Sequence, residues 1–169
     1  MLETPALWVA LAAMLPLMAV MAWSDLKVLK IPNWLVLAVL AVFLVCGLWG
    51  LPLETFGWRL AQGAIVLVIG FLIFAAGGIG GGDAKMAAAL APFVVPVEVL
   101  PFLALYAVMT LFLMAILRIV QHFARHETTG WMAVDQLHKP PRERVFPMGL
   151  IFAMTVVLYM SVHVVQSLI

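Results

Sequence analysis

"GGIGGGDAKMAAALAPFVVPVEVLP", Gly77–Pro101, is the stretch on which the reading of this chain turns. Five glycines precede one of the few acidic residues, Asp83, and then Lys85. The apolar run that follows is short for a bilayer crossing, which takes roughly 20 residues of helix, and Pro92 and Pro96 would bend it or end it early. If it crosses, the chain has six spans; if it turns back, it has five and a re-entrant segment. The expectation is six, with 84–97 as the fourth and weakest.

The rest of the sequence sets the environment. With 66% hydrophobic residues, 10% charged residues and a mean hydropathy of +1.19, the chain lies outside the range of soluble domains. The fold class expected is all-α, a polytopic membrane helix bundle. Apolar runs near spanning length place the other helices at about 5–24, 33–51, 59–76, 99–119 and 147–167. One domain over 1–169 accommodates them. Pro16 should kink the first helix, a lesion that neighbouring helices can accommodate. The opening 23 residues, without a basic start and apolar for longer than a signal core, read as a retained span.

The net charge of +1 is scattered rather than gathered into a stripe, which sets nucleic-acid partners aside. Cys46, the single cysteine, has no partner within the chain for a disulfide and reads as a small buried hydrophobe.

Basic residues accumulate on the cytoplasmic side of short loops. With the N-terminus outside, Lys27, Lys30, Lys85, Arg118, Arg125, Lys139, Arg142 and Arg144 fall inside, and only Arg59 stays outside with Glu3, Glu54 and Glu98. Asp25, ending the first span, and Asp83, beginning the fourth, then meet the same membrane face. Acids at membrane depth are costly and commonly functional. Beside that stands a plainer reading, in which Asp83 caps a helix and Asp25 marks the water boundary.

Glycine permits tight turns and close backbone approach, so Gly80, Gly81 and Gly82 can present Asp83 to a partner helix. A simple interhelical hinge would use the same residues. A phosphate loop would not, because Ala84 precedes Lys85 and Met86 follows it, against the GK[ST] ending that such loops need.

Gly80-Gly81-Gly82-Asp83 matches the GxGD signature of membrane aspartyl proteases, and "GGGDAK" resembles its form in type IV prepilin peptidases. "DLKVLKIPN", Asp25–Asn33, is similar to the first aspartate segment of that family, and "FPMGL", Phe146–Leu150, resembles its Pro-x-Gly element. The three matches occur in the family's order. The resemblance is closest to the short forms serving Flp-type, tight-adherence pili, since only Leu26–Pro32 separates the first two spans and no cysteine pair occurs. It implies a bacterial inner-membrane endopeptidase whose catalytic residues are Asp25 and Asp83, working at the cytoplasmic face without metal or cofactor. It implies prepilins and pseudopilins as substrates, contact with pilus assembly machinery, and neither a methyltransferase nor a zinc-binding segment. Gly80, Gly81, Gly82 and Lys85 are the substrate-binding candidates.

Other residues have plainer roles. Lys85 also fits the positive-inside pattern. His122 and His126, one helical turn apart, lack a convincing third metal ligand and read as interfacial. Between Gln121 and Val145, Trp131, Val134 and Leu137 suggest a short helix lying on the membrane surface, where its basic neighbours attract anionic lipid. A small transporter or channel subunit remains the alternative class, since it too places acids beside broken helices.

Overall fold

The computed structural model describes residues 2–123, 132–135 and 147–168. The chain is all-helical: α1 (Thr4–Val28), α2 (Asn33–Gly50), α3 (Leu53–Ala75), α4 (Gly81–Leu90), two single 3-10 turns (Ala91–Phe93 and Pro96–Glu98), α5 (Val99–Phe123), α6 (Met132–Asp135) and α7 (Met148–Gln166). Among the described residues, five helices are long and apolar enough to cross a membrane, and α4 is not one of them. The chain is thus a multi-pass membrane protein.

The expected fourth span, 84–97, is corrected to a ten-residue α4 followed by the two turns. The physical reason is the pair of prolines. Each lacks the N–H that a continuing helix needs and sits in the first turn of a new 3-10 helix. The path nevertheless runs the length of the bundle. Gly70 on α3 meets Ala84, Gly63 meets Ala88 and Pro92, and Arg59 meets Val94, so this segment climbs antiparallel to α3 from one end to the other.

Irregular backbone at membrane depth must have its polar groups satisfied by protein. Arg59, only 4% exposed, donates through its guanidinium to the Val94 carbonyl. Gln62 donates to the carbonyls of Ala91 at 3.0 Å and Val94 at 3.2 Å. Arg59 therefore belongs inside α3, which begins at Leu53 rather than near residue 59. It is a buried cap for the broken segment.

The core lies where α1, α2, α4 and α7 meet. Leu7, Met14, Met18 and Met21 of α1, Leu35 and Phe43 of α2, Met86 of α4, and Val156 and Met160 of α7 are fully enclosed. Ala6 and Ala10 leave room for neighbouring backbones to approach, which favours helix association by close packing in lipid. Phe43 stacks on Phe56 at 5.7 Å and meets Phe93 edge-on at 5.2 Å, joining α2, α3 and the first 3-10 turn. Cys46 is buried in the same core with a free thiol. By contrast α3 and α5 turn Ile65, Val68, Phe71, Leu72, Leu100 and Leu111 outward, the surface expected of helices facing hydrocarbon.

The α1–α2 and α2–α3 connections are short. The N–H of Glu3 donates to the Gly50 carbonyl at 3.0 Å, tying the start of α1 to the end of α2. At the other end Ser24 donates to the Lys30 carbonyl at 2.7 Å across the α1–α2 turn. Of the expected surface helix only Met132–Asp135 is described; Trp131, Leu137, His126 and the side chain of His122 lie outside the described residues.

Candidate active site

Asp25 stands in the last turn of α1, which extends to Val28 rather than ending near residue 24. Leu29 closes the helix in the left-handed region, with φ 51°, and its N–H donates to the Asp25 carbonyl at 3.0 Å. This stop lets α2 begin at Asn33 and leaves the Asp25 side chain inside the bundle, 4% exposed.

The start of α7 holds that carboxylate. The N–H of Leu150 donates to Asp25 Oδ2 at 3.0 Å, and the Gly149 N–H also bonds to the carboxylate. A helix N-terminus offers N–H groups without intrahelical partners, so an anion there is favoured. Pro147 immediately precedes the helix. At Gly149 a Cβ would lie 3.0 Å from the Asp25 carboxyl carbon and 3.1 Å from Oδ2, so the approach depends on the missing methyl group.

Asp83 is the third residue of α4, outside the five long helices. Its carboxylate folds back to the N–H of Gly80, satisfying an orphan donor of the helix start. A Cβ at Gly80 would lie 2.5 Å from Asp83 Oδ2, so a side chain there would displace the carboxylate. Burial pushes the Asp83 carboxyl above the usual carboxylate range, opposed by the bond from Gly80. The turn into this loop is made at Gly77, whose φ of 77° lies in the region that glycine adopts without steric cost.

Asp25 and Asp83 line one cleft of about 650 Å³, together with Leu29–Ile31, Gly77–Gly82 and Met148. The cleft has polar and apolar walls in comparable measure, whereas three other grooves among the described residues are almost wholly apolar. Gly80, Gly81 and Gly82 form part of its wall, as a substrate-binding role would require. Lys85 points away: its amine reaches Asn33 Oδ1 at 3.3 Å and borders the neighbouring groove between α2, α3 and α4.

Two contributors were not singled out from sequence. The Leu150 N–H was hidden because a backbone donor has no residue-type signal, although the Pro-x-Gly pattern marks its place. Tyr106 on α5 flanks the site without lining the cleft, its ring packing on Phe152 of α7 at 5.1 Å. Nothing in the spacing of α5 distinguishes it from a lipid-facing aromatic.

The sequence profile described as the type IV leader peptidase family matches residues 12–117, more than half of the chain. The chain belongs to that family. No curated protein and no solved structure matches it. The matched region of this leader peptidase contains both aspartates and the glycine loop, while Gly149 and Leu150, which hold Asp25, lie beyond it. Membership makes the chain a protease of prepilin-type leaders.

Proposed function

We propose that this leader peptidase is an aspartic-type endopeptidase that uses Asp25 and Asp83 to remove the leader of Flp-like prepilins and related pseudopilins. The observation that carries the proposal is the convergence of the two carboxylates on one cleft from helices far apart in sequence. Like charges held close do not both ionise cheaply, so the pair holds one proton and titrates as a unit. The ionised member takes a proton from a water while the protonated member polarises the scissile carbonyl. Water oxygen bonds to the carbonyl carbon, the C–N bond breaks, and the abstracted proton leaves with the amine. No metal or cofactor enters this scheme.

The substrate near the cut must be extended, because helical backbone hides its carbonyls in hydrogen bonds. The wall formed by Gly80, Gly81 and Gly82 suits a close-lying strand. Lys27, Lys30 and Lys85 surround the cleft end, and Glu3, Glu54 and Glu98 belong to the opposite end. That asymmetry supports an inner-membrane protein with its cleft toward the cytoplasm, where basic leaders and pilus assembly machinery would be met. The α1–α2 turn is short, Leu29–Pro32, which supports the reading of a peptidase without a methyltransferase segment inserted there.

The test is cleavage of a co-reconstituted Flp-like prepilin by the purified full chain, with products read by mass spectrometry. Cleavage at the leader boundary is expected, with a free, unmethylated new N-terminus and no loss on adding chelator. Glu54→Gln, at an exposed acid away from the cleft, should retain the parent rate. Absence of cleavage by correctly inserted protein, or methylation by this chain alone, overturns the corresponding part of the proposal.

A further inference from the structure

At the end of the bundle opposite the cleft, the turns of the broken segment meet α7 in a part-buried polar cluster. Tyr159 Oη accepts from the Val95 N–H at 3.1 Å and donates to Glu98 Oε2 at 2.5 Å. His163 Nε2 lies 2.9 Å from the same Glu98 oxygen, and its ring packs against Tyr159 at 4.6 Å. Phe102 meets Tyr159 edge-on at 5.4 Å from α5. Arg59, buried on α3, reaches the same turn through the Val94 carbonyl and adds its charge to the field at Tyr159 and Glu98.

The set lies at the far end of the bundle, with the Glu98 side chain 33% exposed, and it is too far from Asp25 to touch a substrate there. Gly149 and His163 are separated along α7 by about 20 Å at 1.5 Å per residue. Any influence of the cluster on the cleft would have to pass through the helices that connect them. α4 is a ten-residue rod with the Gly77–Gly82 loop at one end, where Asp83 sits, and the broken segment at the other. A glycine loop resists little displacement. Along its length α4 packs on α3 and the core through Ala84, Met86 and Ala88, and the broken segment continues it to a far end at Glu98. That end is tied by Tyr159 and His163 to α7, whose opposite terminus carries the N–H groups holding Asp25. One carboxylate is thus positioned through α7 directly and the other through α4.

We infer that Tyr159, Glu98 and His163, with Arg59, form a positioning clamp that sets Asp83 against Asp25 by locking the end of α4 to α7. The inference rests on the reading of the two aspartates as the catalytic pair. Displacement of a reacting group by about 1 Å can cost on the order of 10²-fold in rate. Loss of the clamp should therefore lower kcat more than it raises KM.

The experiment uses the full chain in proteoliposomes with a Flp-like prepilin. Tyr159→Phe, which keeps the ring and removes both hydrogen bonds, should lower kcat roughly 10- to 100-fold with KM changed by no more than about threefold. Glu98→Gln, which keeps an acceptor for Tyr159 while losing the charge facing His163, should fall less. In a Cys46→Ala background, Glu98→Cys/His163→Cys should be slow until bridged by a bifunctional thiol reagent, which restores the rate by replacing the tie covalently. Spin labels at Lys85→Cys on α4 and Met154→Cys on α7 should show a broadened distance distribution when Tyr159→Phe is added. Tyr159→Phe at the parent kcat overturns the clamp. So does a slow variant whose label distances are unchanged and whose rate the bridge does not restore, because the cluster would then serve insertion or stability alone. If the aspartate variants still cleave, the catalytic reading fails, while the label distances continue to report on the clamp.

Discussion

The two ends of α4 are both polar, yet they are built in opposite ways. At its start Asp83 and, across from it, Asp25 accept from backbone N–H groups and border an open cleft of about 650 Å³. At its far end Arg59, Glu98, Tyr159 and His163 have partners among side chains and backbone, and join the broken segment to α3 and α7. Partnered polar groups in a low-dielectric interior rigidify, whereas groups left facing space are available for chemistry. The difference separates a residue's cost in the membrane from its purpose. Both clusters gather polar groups, but only the one at the glycine loop borders an open cleft.

The sharpest way to break this contrast is to neutralise the cleft acids. Asp83→Asn and Asp25→Asn should each lower prepilin cleavage by at least about 10³-fold, and the double variant should be no worse than either single one, since groups acting as a unit are not additive. Stability should move differently. Asp83 has a folded-state pKa above its ordinary 3.8. The folded protein therefore binds that proton more tightly than the unfolded chain does, and stability contributed by this group falls as pH rises from about 4 through the raised value. Asp83→Asn should flatten that decline, so that at neutral pH the inactive protein resists unfolding at least as well as its parent. A neutral-pH loss of stability in Asp83→Asn, measured by unfolding in detergent, would show the carboxylate to be a structural cap.

A smaller effect is expected from the glycines that let backbone and carboxylate meet. Gly149→Ala places a methyl group 3.0–3.2 Å from the Asp25 carboxyl group, and Gly80→Ala collides with the Asp83 oxygen. Each should cost on the order of 10²-fold in kcat through displacement of the acid, with insertion intact. Parent-level kcat in Gly149→Ala would show that the start of α7 yields without moving Asp25.

The least effect belongs to Lys85. Its amine is exposed and contacts Asn33 at 3.3 Å, away from the cleft. An exposed polar contact is worth about 0–1 kcal/mol, so Lys85→Met should change kcat/KM by less than about fivefold. A loss comparable to the glycine variants would give this lysine a part in binding the substrate.

Sequence alone determined the environment and most of the plan. Long apolar runs have no alternative to helix in a bilayer, because backbone groups there must bond within their own segment, and this makes spans legible from composition. The glycine-aspartate stretch, Asp25 and the Pro-x-Gly element could be singled out through their resemblance to the motifs of the family. What only the tertiary structure decided is how the segment after Asp83 crosses. Pro92 and Pro96 announced an interruption, but not that Arg59, Gln62 and Tyr159 from α3 and α7 would satisfy the freed backbone groups. Arg59 looked like an outer-face charge because sequence records the charge and not the carbonyl it meets. The seat of Asp25 on the N–H of Leu150 was hidden for the same physical reason: every residue but proline carries that donor, and only folding chooses which one is left free to point at an acid.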